Sequence, residues 1–340
     1  MNKKLNKLND RPELAKSDIV KDIPKVCADE LAAVEFFEAQ RWGNSPRCPH
    51  CESKDVYQIK DRDGTRNKRF LWRCRKCAEQ YTIRIGTIYE DSRLPLRHWA
   101  YAFWRACSSK KGVSALEIKR QCQISYKSAL FLMHRIRFAM KENDTPETPK
   151  LGGDNIPPVE VDETYCHQTP IRGKPFKGTG YRKDSNKVPV VAMLERGSIV
   201  RTKVVPRVTQ KNLKSFLEEN ISRGATVNTD QHHVYGGVLW PIVNRYGGKH
   251  YVVNHSEGEY ARINPDGTVA HVNNCESFFS LLKRGLVGTF HCVSKEHLHR
   301  YCDEFAFRWN TRQLNDGDRL VAAVKNSEGK RLLYADAVAA

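Results

Sequence analysis

An α/β fold is predicted for the C-terminal half of this 340-residue chain, preceded by a small cysteine-bearing module and a helical region. Three observations carry the prediction. After residue 158, strand-like apolar runs give way to helical periodicities, the order expected of one α/β layer domain. Two Cys-x2-Cys pairs, Cys48/Cys51 and Cys74/Cys77, lie in the first quarter of the chain. Between the halves, residues 143–158 (NDTPETPKLGGDNIPP) concentrate proline and glycine and read as a linker.

Composition narrows the partners. Lys and Arg number 57 against 39 Asp and Glu, a net charge of +18. Such an excess suits a polyanion: DNA, RNA and an anionic membrane surface all fit on charge alone. No apolar run is long enough for a membrane helix, and the N-terminus (MNKKLNKLNDRPELAKSDIVKD) has no apolar leader core. A cytoplasmic location is therefore expected. Eleven cysteines without a secretion signal argue against a disulfide framework. The seven unpaired by spacing read as small buried hydrophobes.

Taken in order, residues 1–25 are expected to be a flexible basic tail and 26–92 a helix plus the cysteine module. In Cys48-Pro49-His50-Cys51 and Cys74-Arg75-Lys76-Cys77, each tight turn aims two thiolates at one point, and two such knuckles complete a tetrahedron. That is a closed structural zinc site with no open position for catalysis. A redox pair or an iron–sulfur site is the rival, and the βαβ context of a redox pair is missing. His50 is expected beside the metal or exposed, not as a fifth ligand. Lys60, Arg62, Arg66, Lys68 and Arg69, with Phe70 and Trp72, read equally well as a phosphate-tracking finger or a solvated hairpin.

Residues 93–142 read as helical. Ser114 is placed to cap a helix over Ala115–Gln121, a turn follows at Gln123-Ile124-Ser125, and a second helix runs over Tyr126–Met140. Two helices, a short turn and a basic second helix fit a helix-turn-helix, with Lys127, Arg135 and Arg137 as DNA-binding candidates. An ordinary helical hairpin is the alternative.

Within 159–315, strands are expected at Val159–Tyr165, Val188–Leu194, Ser198–Val205, Ala225–Thr229 and His250–Val253. Helices are expected at Gln210–Ile221, Asn274–Arg284 and Lys295–Trp309. Alternation along Val159-Glu160-Val161-Asp162-Glu163 puts Asp162 on the face of Glu160 and opposite Glu163. Asp230 ends another strand, and Glu276 shares a helix face with Lys283, two turns on. Each acid alone has an ordinary structural explanation. Three acids converging would repel unless divalent cations compensate, and hard oxygen ligands suit magnesium or manganese. Two such ions can activate one oxygen and steady another at a phosphodiester. The loop 173–183 is basic and glycine-rich, with Lys174 and Lys177 as further phosphate-binding candidates beside Arg284. Residues 316–340 are expected to be a C-terminal tail.

In order, CPHC…CRKC, VEVDET, NTD, NNCESFFSLLKRGLVGTFHCVS and HLHRYCDEFAFRWNTR resemble the zinc-ribbon DDE transposases of bacterial insertion sequences, in the group with an Asp-Asp-Glu/Asn-Lys signature. The likeness spans roughly residues 30 to 315. It implies a ribonuclease-H-like catalytic domain, with Asp162 on its first strand, Asp230 after its fourth, and Glu276 on a later helix. It also implies that Lys283 touches DNA near the cleaved phosphate. Some members carry Asn at the third position, and Asn273 and Asn274 stand close by. Glu276 is preferred because an anionic carboxylate binds a hard cation better. In the terminal segment, Arg308 and Arg312 either face phosphates or pair with Glu304. His232 and His233 read as loop histidines, with positioning of water or DNA as the alternative. The resemblance implies cleavage and strand transfer at terminal inverted repeats, two catalytic ions, at least a dimer on DNA, and a nucleoid location. A metal-dependent nuclease or resolvase, or an inert DNA-binding regulator, shares the same features.

Overall fold

The structure is a computed structural model that describes residues 19–143, 148–153, 156–167 and 187–338. The chain divides into two compact units. One comprises residues 1–140 with 311–339, the other residues 141–310.

The first unit begins with α1 (Ile19–Ala28) and α2 (Glu30–Trp42). The basic tail expected over 1–25 therefore gives way to helix at Ile19, where Ile23 and Val26 turn inward. Asp29 caps α2 by accepting from the Ala32 amide at 2.7 Å. A three-stranded antiparallel sheet follows, β1 (Val56–Gln58), β2 (Trp72–Cys74) and β3 (Gln80–Tyr81). Next come α3 (Leu96–Ser108), α4 (Ala115–Cys122) and α5 (Tyr126–Met140). Ser114 caps α4 through the Glu117 amide, as its position in the sequence suggests. Gln123 takes the left-handed conformation (φ 54°) that turns the chain into α5, whose first turn Ser125 caps. Phe37, Tyr89, Trp99 and Phe103 form the aromatic centre of this unit.

The second unit is built on a five-stranded sheet. Its strands are β4 (Val159–His167), β5 (Lys187–Glu195), β6 (Val200–Val204), β7 (Thr226–Asp230) and β8 (Lys249–Val253). Across the sheet the order is β6-β5-β4-β7-β8. The first three strands pair antiparallel, and β4, β7 and β8 run parallel. Between β6 and β7 lies α6 (Gln210–Asn220), and between β7 and β8 lies α7 (His233–Ile242). A small hairpin, β9 (Arg262–Ile263) and β10 (Val269–Ala270), precedes α8 (Asn273–Gly285) and α9 (Leu298–Asn310).

Strand alternation sorts the side chains into two cores. Val159, Val161, Val191 and Met193 meet Leu213 and Leu217 of α6 and Tyr235, Val238 and Leu239 of α7. On the other face, Val190, Ala192, Leu194 and Cys166 meet Phe278 and Leu282 of α8 and Tyr301 and Phe305 of α9. A sheet covered on both faces explains why β5 is buried almost end to end. The five expected strands match within two residues at each end. Fold class is as expected: an α/β sheet of ribonuclease-H-like strand order, which follows a ribbon and helices along the chain.

Two domain boundaries need correcting. In the linker expected over 143–158, Leu151 is buried and bridges to Ile221, and the Gly152 amide donates to Glu195. Residues 316–338 are no tail. Asn315 caps α10 (Asp316–Lys325), which packs on α2 and α3 of the first unit with Leu320, Ala323 and Val324 buried. Glu328 then bridges to Thr87, and the last helix, α11 (Tyr334–Val338), lies against α5. The second unit accordingly closes at Asn310 rather than 315.

Candidate active site and zinc centre

The four knuckle cysteines converge. Cys48 Sγ lies 3.6 Å from Cys77 Sγ, and Cys51 Sγ 3.6 Å from Cys74 Sγ. Tetrahedral zinc with bonds of about 2.3 Å requires thiolates about 3.8 Å apart, so the donor set fits a structural zinc ion. Each knuckle ends on a left-handed residue, Glu52 (φ 57°) and Ala78 (φ 60°), which folds the backbone under the sulfurs. His50 stays off the sulfur set and donates its backbone amide to Cys48 Sγ. Of the basic residues between the knuckles, Arg66 is committed internally: it pairs with Glu38 and stacks over Phe70 and Trp72. Lys60, Arg62, Lys68 and Arg69 remain exposed.

In the second unit, pairing of β4 with β7 runs through Val161↔Thr229. Asp162 and Glu163 therefore extend past the last paired residue, beside Asp230 at the end of β7. Carboxylate oxygens of Asp162, Glu163 and Asp230 all lie within 4.8 Å of one another. Ligands on one octahedral magnesium ion stand up to about 4.2 Å apart, so this set is close to what one hard cation needs. Burial, then the charges of Asp230 and Glu163, with a smaller push from Glu276, raise the Asp162 carboxyl to about 8. A carboxyl so destabilised as an anion calls for a compensating positive charge.

Glu276 sits in the first turn of α8, half exposed, 3.5 Å from His255 Nδ1. It is near enough to act on Asp162 but stands outside the cluster of three. Its helix is fixed by Glu160, two residues before Asp162. Glu160 is fully buried and accepts from the Asn274 amide at 2.9 Å, the Asn274 side chain at 2.8 Å and the Cys275 amide at 3.2 Å. Arg196 Nε, at 2.7 Å, balances its charge. Asn274 is thus engaged in anchoring the helix, whereas Asn273 and Glu276 are exposed.

At the other end of α8, Lys283 is exposed. Burial pushes the Cys166 thiol up to about 11 while the Lys283 ammonium pulls it down, which places Lys283 beside the end of β4. Helix α8 thus begins against Glu160, and Leu282 near its end shares a core with Cys166 of β4.

Sequence reasoning missed the part of Glu163. Alternation does send it to the α7 side, where its carboxylate accepts a hydrogen bond from the Tyr235 hydroxyl. Beyond the last paired residue, however, a long side chain can still reach the end of β7. The adjacent acids Asp162 and Glu163 were visible in the sequence, but where the pairing of β4 with β7 ends was not. His232 proves to be the cap of α7, accepting from the Val234 amide, and its backbone amide donates to Asp230.

The DNA-binding candidates separate. Lys127 is exposed in the first turn of α5, with its ammonium 4.6 Å from the Tyr334 ring. Arg284 is exposed. Arg135 and Arg137 do not face solvent: they are 3% and 1% exposed, and Arg135 Nε donates to the Leu332 carbonyl. The second half of α5 is buried all round, so its basic residues read as surface only when neighbouring helices are ignored. Lys174 and Lys177 fall outside the described residues. Arg308 pairs with Glu304 inside the unit, which decides that alternative against a phosphate contact.

Residues 150–310 match the ISXO2-like transposase domain, and residues 28–80 match the transposase zinc-ribbon domain. The chain is 28% identical over 297 residues to an uncharacterized protein in transposable element ISH50 of Halobacterium salinarum, covering 84% of this chain and 92% of that one. A crystal structure of a pre-cleavage Mos1 transpososome aligns with 63% of this chain and 74% of its own at 10% identity, with a TM-score of 0.24. Both domain matches fall on the parts built above: the cysteine tetrad in one, and Asp162, Asp230, Glu276 and Lys283 in the other. The chain thus joins a transposase zinc-ribbon domain to an ISXO2-like transposase domain, the two modules of the zinc-ribbon DDE transposases of insertion sequences.

Proposed function

We propose that this transposase cuts DNA at the terminal inverted repeats of its element and joins the freed ends to target DNA. Asp162, Asp230 and Glu276 would hold two magnesium or manganese ions. When bound, such ions supply Lewis-acid activation of an attacking oxygen and charge stabilisation of the leaving one. The observation that carries this reading is the packing of Asp162 against Asp230, with the Asp162 carboxyl raised to about 8, an arrangement that a divalent cation relieves.

The remaining duties fall to the chain itself. Glu160 fixes the start of α8, and so the position of Glu276 relative to Asp162. Lys283, one helical face along, contacts the phosphate backbone near the scissile bond. The zinc ribbon and the start of α5, where Tyr126 and Lys127 are exposed, hold the terminal repeat. Arg284, Lys174 and Lys177 add phosphate contacts. Two ends must be processed together, so the active form is at least a dimer on DNA, working at the nucleoid.

A strand-transfer assay with pre-cleaved ends tests the reading. Joined products that require Mg2+ or Mn2+ support it. Cleavage without joining indicates a nuclease or resolvase, and binding with neither indicates a regulator. Matched inverted repeats flanking the gene would identify the DNA to use.

A further inference from the structure

We propose that Glu163 is a fourth acid of the divalent-metal site, held in place for that duty by the Tyr235 hydroxyl. The proposal rests on the metal-dependent reading above and adds a residue to it.

Three features of Glu163 point the same way. Its oxygens belong to the same cluster, within 4.8 Å, as those of Asp162 and Asp230, whereas Glu276 lies outside it. Next, among the described residues no lysine or arginine pairs with Glu163. The buried acids Glu160 and Glu304 are each paired with an arginine. Around it stand the carboxylates of Asp162 and Asp230, with the His232 ring nearby. A partly buried carboxylate kept beside two others is costly unless a cation joins them. Finally, its orientation is fixed. Tyr235 is fully buried on α7, and its hydroxyl donates to Oε2 of Glu163. One hydrogen bond leaves lone pairs on both oxygens for a metal ion. This is the geometry of a ligand oriented by a neighbour that does not itself touch the metal.

Tyr235 acts through Glu163 and is a positioning residue. A purely structural role would make Glu163 no more than the acceptor that satisfies a buried phenol, and metal affinity would then be indifferent to it.

Manganese titration of the full-length protein without DNA, read by the electron paramagnetic resonance signal of free Mn2+, separates these roles. Glu163→Gln, which still accepts from Tyr235, should weaken Mn2+ binding by roughly tenfold or more. Tyr235→Phe should weaken it by several-fold, and it serves independently if the first variant folds poorly. Mn2+ should raise the thermal midpoint of the wild type more than that of either variant. Mn2+ affinity within twofold of wild type in both variants, with Asp162→Asn losing binding, would overturn the proposal and leave the acid site standing. Wild-type affinity in Asp162→Asn as well would remove the metal site altogether.

Discussion

Glu160 on β4 receives the backbone amide and the side-chain amide of Asn274, at 2.9 and 2.8 Å, and so caps α8 from a neighbouring strand. The residue at the cap position, Val272, has no side-chain acceptor. The helix that carries Glu276 and Lys283 is therefore oriented by a residue on the same strand face as Asp162, which couples the two halves of the site through one buried carboxylate.

Glu160→Gln should be strongly destabilising. It removes the charge facing Arg196 and turns an amide N–H toward donors, and breaking a buried pair of this kind costs about 3 kcal/mol or more. A fall of several degrees in the unfolding midpoint, with zinc content unchanged, is the expected result. Asn274→Ala should cost less, since the backbone amides still reach Glu160. Equal stability of wild type and Glu160→Gln would show that the capping is incidental.

The close approach of α8 to α9 depends on Gly285. A Cβ added there would lie 2.1 Å from Cζ of the fully buried Phe305. Gly285→Ala should destabilise by about 1–3 kcal/mol, the usual cost of overpacking. Adding Phe305→Leu should recover part of the loss. Denaturant titration of the two single variants and the double measures the coupling, and strict additivity would count against the contact.

The strands were legible because apolar runs such as Val188–Leu194 are bounded by polar or turn residues, and a sheet covered on both faces leaves such runs intact. Helix α7 was not, because Gly236, Gly237 and Pro241 read as breakers. A Cβ at Gly237 would meet only the side-chain end of Gln210 in α6, which can swing aside, so this contact does not by itself demand glycine. Helix α10 carried a readable signal, Asn315 as cap with Leu320, Ala323 and Val324 at helical spacing. What sequence order hid was that this segment returns to the first unit. Of the site, Asp162 and Asp230 were legible as strand acids; the roles of Glu160 and Glu163 depend on where α7, α8 and β7 end, which is tertiary information.

His250 gives the second unit an acid-sensitive limb. Burial beside Thr229, whose hydroxyl is 2.9 Å from Nε2, lowers its pKa to about 4. The unfolded chain takes up this proton near pH 6.5 and the folded chain only near 4, so the stabilisation is complete above 6.5 and is lost as pH falls toward 4. The full effect is on the order of 3 kcal/mol. Denaturant titrations at pH 7 and pH 4.5 should show a smaller drop for His250→Gln than for wild type. Equal drops would place the acid sensitivity elsewhere.

Zinc is expected at one ion per chain, measured by elemental analysis of protein purified without added metal. Replacing Cys48 and Cys51 by Ser should abolish it and unfold the ribbon, because a closed thiolate site supplies the folding energy of so small a module. Unchanged zinc content would refute the assignment. Ala78→Gly, which relieves a left-handed alanine, should leave zinc in place and change stability by no more than about 1 kcal/mol.

The most direct test of the account is Mg2+-dependent release of a 3′-hydroxyl end from labelled duplex carrying the element's terminal repeat, comparing wild type with Asp162→Asn. Cleavage at the repeat boundary by the wild type, at least a thousandfold slower in the variant while both bind the repeat equally, is the predicted result. An Asp162→Asn protein that cuts at the wild-type rate would contradict it.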